Sequence, residues 1–385
     1  MTGAAPAERA LQPLDELRGL VLRGLAVNWP LARAIAARRS VRVSVLLSLH
    51  ASAALVVAVL APSFLLAIGP LALGVPHLAA DVRHLLIRRA APRWWLAASA
   101  GFALVLIALR ALAEGGARFV SLPAENAVAA GWVLLGAAGG AAAGAVAQAA
   151  SPAEGAPRRF WTARGWTARG WAALAAATAL AAFAIGAPRA FRMALLHGHN
   201  LLAVAIWVFL FRRGWRLAWL PVAIVLGGAA TLASGIALGI TVRHGALSVL
   251  GLHLFAAADW LAPGLSDARA LAVAMSFAFL QSVHYAIWLV GIPAGDRPGE
   301  GGRAWRTAWR DLRRDLRPAG AAVVVTLTLL VALLGLVHAA PTRRLFLSLA
   351  TFHGWLELAV LAYLFGRGSA RAPATSPRAV SRPVA

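Results

Sequence analysis

Ten histidines and no cysteine occur along the chain, and His77, His84, His197, His199, His284 and His353 fall inside long apolar runs, not between them. Without cysteine, disulfides, thiolate metal sites and a cysteine nucleophile are excluded, so any metal must be held by histidine and carboxylate. The segment GVPHLAADVRHLL places His77, Asp81 and His84 at i, i+4 and i+7, one face of a helix. FHGWLEL repeats the logic with His353 and Glu357 one turn apart. A histidine followed one turn later by a carboxylate supplies two ligands, or one ligand and the partner that fixes its tautomer. ALLHGHNLLA carries His197, His199 and Asn200. Residues two apart point to nearly opposite sides of a helix, so one of these two histidines faces any common centre. In FLQSVHYAIW, Gln281 and His284 share a face, with Tyr285 and Trp288 following, and LHLFAAADW contributes His253 and Asp259.

The elements that must position these groups are membrane helices. The chain has 385 residues, 61% hydrophobic and 13% charged, with a mean hydropathy of +0.73, which is too apolar for a soluble globular protein of this size. The formal charge of +23 would suit nucleic acid, but the arginines lie between apolar runs and in the tails, where they meet anionic membrane lipid and fix topology. No nucleic-acid partner is expected. A span needs about 20 apolar residues, and the sequence offers ten such runs, near 43–61, 63–87, 94–113, 124–148, 170–187, 190–211, 217–240, 266–291, 319–340 and 343–366. The expected fold is an all-α, polytopic transmembrane helical bundle. Residues 246–263 are also apolar, but a full span there would put the basic 297–317 loop on the outer side, so a re-entrant segment is expected.

With that topology both termini are cytoplasmic, as in a bacterial-type inner membrane protein. Residues 1–42 carry no signal peptide, and 17–37 form a basic amphipathic segment on the membrane surface. Residues 304–316 place Trp305, Trp309, Leu312 and Leu316 at helical spacing among arginines, an interfacial helix. The duplicated WTARG at 161–170 is an interfacial anchor, GAAGGAAAGA in the fourth span is a close-packing surface, and the basic tail from 367 to 385 is expected to be disordered.

Under this topology the second, sixth, eighth and tenth spans run in one direction, with His77, His199, His284 and His353 at similar depth. A lone histidine in a span is more often bonded to a neighbouring helix than to metal. Four at one depth, two of them followed by a carboxylate, favour a shared centre. Nitrogen and oxygen ligation by neutral imidazoles suits Fe(II), with Zn, Cu or Mn less favoured. Iron would activate dioxygen toward a lipid-soluble substrate from the bilayer. Two other chemistries use the same residues: a proton relay in an ion-coupled transporter, and b-type haem bound by histidine pairs.

GVPHLAAD, residues 74–81, resembles the GxPHGAxD motif of the bacterial membrane β-carotene dioxygenases of the Brp/Blh type, with His77 and Asp81 in its key places and Leu78 replacing a glycine. HGHN at 197–200 or HLFAAAD at 253–259 is similar to that family's second motif, FAFLQSVHYA at 277–286 to its third, and TFHGWLEL at 351–358 to its last. Gln281 stands where the family has a histidine, His284 is out of register by one, and the chain is longer. The resemblance implies a single non-haem iron bound by histidines and a carotenoid-like substrate. On that reading His77, His197 or His199, His284 and His353 are ligands, with His84, His253 and Asp259 as further candidates. Asp81, Glu357, Gln281 and Tyr285 are the catalytic candidates; Asp81 and Glu357 orient ligands or bind metal, and Tyr285 and Trp288 line the substrate pocket.

Overall fold

The computed structural model describes residues 6–89, 91–117, 120–149, 166–212, 214–297, 302 and 304–368. Among them ten helices are long and apolar enough to cross a membrane: Arg39–Leu60, Pro62–Ile87, Arg93–Glu114, Leu122–Ala147, Ala168–Gly186, Pro188–Phe211, Arg216–Ala233, Asp267–Gly295, Trp305–Val337 and Ala339–Arg367. They fall on the ten apolar runs, and the chain is an all-α polytopic membrane protein. The first WTARG copy, the arginines at 158, 159 and 164, and the tail from 369 lie outside the described residues.

Proline and glycine set several boundaries. Pro62 and Pro188 open their helices, where a missing N–H removes nothing from the hydrogen-bond ladder. The seventh span, expected to reach residue 240, stops at Ala233 because Gly235 turns left-handed at φ 80°, and a separate short helix, Leu238–His244, follows. The ninth helix breaks at Arg317 (φ 61°, ψ 161°), directly before Pro318, whose ring disfavours helical backbone at the residue it follows. Residues 305–316 are thereby set apart from the apolar span, as the sequence suggests.

Residues 246–263 do not form one helix. Ser248–Val249 pairs antiparallel with Leu252–His253 around Leu250 and Gly251, both at positive φ, and Leu254–Leu261 is a helix of 8 residues, about 12 Å long. Such a helix is too short to span.

The chain divides into two compact units, Met1–His84 with Leu196–Ser348, and Leu85–Leu195 with Leu349–Ala385. In the first, the eighth span is the core element: 89% of its apolar stretch is buried, against the first and seventh spans and Leu254–Leu261. The basic N-terminal segment is helical over Gln12–Asn28 and Pro30–Ala37, with Leu17, Leu20, Val21 and Leu31 exposed. Asp15 ties it down by accepting from the backbone N–H of Trp305 (2.6 Å) and Arg306 (3.2 Å) and from Arg306 Nε (3.1 Å), satisfying donors that a helix start leaves open.

In the second unit, Gly136, Gly140 and Gly144 of the fourth span let the backbone of Phe352–Arg367 approach closely. A Cβ on Gly140 would lie 2.1 Å from the Tyr363 carbonyl oxygen. This is the small-residue packing expected of that stretch.

Two outcomes follow. Gly140→Leu should destabilise the detergent-solubilised protein by about 1–3 kcal/mol or more, read as a drop in its thermal midpoint. Burial opposes ionisation of Asp15, but the two backbone N–H groups and Arg306 outweigh it and hold the carboxyl below its ordinary 3.8. The tie is therefore at full strength above that value and is lost as pH falls through the lower, folded-state value. Hydrogen exchange of residues 12–28, corrected for intrinsic rates, should accelerate over that interval, and Asp15→Asn should exchange fast at neutral pH.

Candidate functional site

The second span is shaped for close packing in the first unit. Pro70 has no N–H, so the Leu66 carbonyl loses its usual donor four residues on; it accepts instead from Arg343 Nε at 2.7 Å. Here the helix widens into a π-helical stretch, Gly69–Leu73, a feature often found at functional sites. A Cβ on Gly69 would meet Tyr285 Cε2 at 2.6 Å, and one on Gly74 would meet Phe346 Cε1 and Cζ at 2.4 Å. Both positions therefore need glycine to let a neighbouring ring in. His77 and Asp81 follow on Gly74–Asp81, both buried.

The imidazoles of this unit gather around His284. Its ring centroid lies 5.2 Å from that of His77 and 5.0 Å from that of His199, both edge-on. Ligand nitrogens of His77 and His284 lie within 4.8 Å of each other. Tyr285 closes the group, 4.7 Å from His77 and 5.6 Å from His284. Trp288 is fully buried one turn further along the eighth span.

The tautomers are set by the helices. His199 Nδ1–H donates to the Leu196 carbonyl at 2.9 Å, and His77 Nδ1–H to that of Leu73 at a longer 3.4 Å. A carbonyl only accepts, so each ring carries its proton on Nδ1, which leaves Nε2 with the lone pair a metal requires. Two amides add polarity. Gln281 Oε1 and both side-chain polar atoms of Asn200 are buried without a hydrogen-bond partner among the described residues.

His197 and His199 point apart, as the spacing requires. His197 bonds the Leu261 carbonyl through Nε2 at 2.9 Å and packs on Phe277 at 5.5 Å, so His199 is the member that faces His284.

Three candidates belong elsewhere. His84, expected on the face of His77, lies in a second π-helical stretch, Val82–Ile87, and its Nδ1 meets Asp296 Oδ2 at 2.7 Å, beside an Arg83–Asp315 pair of 2.8 Å. His253 and Asp259 are exposed, because the hairpin turn and the short helix carry them to the surface. In the second unit, His353 and Glu357 are buried one turn apart, and His353 Nδ1–H donates to the Ala350 carbonyl. This is the bonding pattern of His77 and His199. Arg343, at the edge of the last apolar run, is among the buried charges that no motif marks, at 7% exposed.

No protein-family model matches the chain, and no curated protein and no solved structure matches it. The reading of the site rests on its geometry.

Gly69→Ala tests that geometry. The added methyl group would displace the Tyr285 ring, at a stability cost of about 1–3 kcal/mol, and should change the near-ultraviolet circular dichroism of the buried aromatics while the far-ultraviolet helix signal stays.

Proposed function

We propose that the chain is a metal-dependent enzyme of the membrane: a non-haem iron oxygenase acting on a lipid-soluble, carotenoid-like substrate, as the resemblance to the Brp/Blh-type dioxygenases implies. The carrying observation is the trio His77, His199 and His284, packed ring to ring. In His77 and His199, backbone carbonyls set the proton on Nδ1 and turn Nε2 into the donor. Neutral imidazoles with nearby carboxylate and amide oxygen fit Fe(II), with Zn, Cu or Mn less favoured. His353 of the second unit is proposed as a further ligand, on its expected depth and its matching Nδ1 bond.

Fe(II), when bound, would supply the one-electron reactivity toward dioxygen that no side chain has. The protein's own groups do the rest. The carbonyls of Leu73 and Leu196 hold the rings in direction. Asp81 and Glu357 orient ligands one turn away. Tyr285 and Trp288 exclude water and form an apolar wall, and Gln281 Oε1 offers an acceptor beside it. We place the protein in a bacterial-type inner membrane with both termini on the cytoplasmic side, by the distribution of arginine.

Detergent-purified wild-type protein should hold iron near one equivalent with no Soret absorption. His77→Ala, His284→Ala and His353→Ala should each lower the iron content about tenfold or more. Metal content unchanged by all three substitutions would remove the enzyme reading and return the histidines to a structural or proton-relay role.

A further inference from the structure

Arg343 is a charge in an unexpected state. An arginine near the end of a span ordinarily snorkels, its stem against apolar surface and its head in water; its neighbour Arg344 is exposed in this way. Arg343 is instead 7% exposed. Its Nε serves the Leu66 carbonyl at 2.7 Å and its guanidinium lies 5.5 Å from the centre of the Trp260 ring. Its Nη2 is buried with no hydrogen-bond partner among the described residues. Capping one carbonyl uses one of five N–H groups, and it leaves Nη2 inside without an acceptor, which an anionic group would supply.

Its position gives the arrival a direction. Leu66 lies about one turn into the second span and Arg343 about one turn into the tenth. Tyr285 packs on Gly69, a turn beyond Leu66 on the same helix, and His77 lies 4.7 Å from Tyr285 further along. Arg343 and Asp81 are each within electrostatic reach of the Tyr285 phenol, yet Arg343 Nη2 makes no hydrogen bond to that carboxylate.

We infer that Arg343 anchors the head group of a lipid-soluble ligand, and that this ligand is not a carotenoid hydrocarbon but a long-chain amphiphile ending in a carboxylate, held by the guanidinium while its tail runs past Tyr285 to the histidines. The planar edge of the guanidinium matches the two oxygens of a carboxylate, and Tyr285, which packs on Gly69 near Leu66 and lies 4.7 Å from His77, gives an apolar tail its line toward the histidines. What happens to that tail rests on the oxygenase reading; the anchoring does not.

Oleate is the probe and methyl oleate, which has the same tail without the charge, its control. Binding is measured on the full chain in neutral detergent by equilibrium dialysis. The wild type should bind oleate saturably and methyl oleate about tenfold more weakly or worse. Arg343→Gln should weaken oleate by a similar factor and leave methyl oleate unchanged, while Arg343→Lys keeps part of the preference. Equal binding of the two probes by the wild type would overturn the inference, and so would full oleate affinity in a folded Arg343→Gln protein. The wild-type comparison needs no variant, so misfolding of the substitutions leaves the test intact. Iron content in Arg343→Gln and oleate preference in His284→Ala separate the two readings. If iron is absent but the preference holds and depends on Arg343, the anchor stands without the oxygenase.

Discussion

Two imidazoles inside apolar helices are each fixed by the carbonyl about one turn before them, and the site depends on those bonds. In His77 and His199 the Nδ1 proton goes to a main-chain oxygen of the same helix. This bond selects the tautomer, orients the ring and points the opposite nitrogen outward. Two spans therefore each deliver a ring with only a short stretch of backbone as support, and packing has to supply only their convergence on His284 of a third.

Convergence is a matter of small residues and missing hydrogens. Gly69 admits the Tyr285 ring and Gly74 admits Phe346. Pro70, lacking an N–H, releases a carbonyl that captures a charged side chain from another span. Each of these substitutes a local deficiency in one helix for a contact with another. In an apolar layer, where water cannot fill the gap, that exchange is among the few ways to bring polar groups together.

Much of this was legible in the sequence. The ten spans follow from apolar runs of sufficient length, and the break before Pro318 from the steric demand of its ring. The choice between His197 and His199 was posed correctly by their spacing, though only the packing could answer it. What escaped has physical reasons. His84 was placed with His77 by an α-helical period, and the widened turn at Val82–Ile87 leaves no residue signature that a period reveals. His253 and Asp259 are exposed because the hairpin there turns through Leu250 and Gly251, and a leucine at positive φ is a poor advertisement for a hairpin. Arg343 looked like a boundary residue because sequence gives depth but not the direction a side chain takes.

The widened turns have one more consequence. A π-helical turn accommodates an extra residue, so everything after it is rotated by roughly a quarter of a revolution or more relative to an unbroken α-helix. Such turns occur at Gly69–Leu73, Val82–Ile87, Trp207–Phe211 and Ile287–Gly291, in the same spans that carry His77, His199 and His284. Each acts as a phase shifter within its helix. Upstream of Val82 the second span is phased for imidazole chemistry; downstream it is phased for the carboxylate partners Asp296 and Asp315. Angular offset, more than distance along the axis, keeps two adjoining sets of ionisable groups from becoming one.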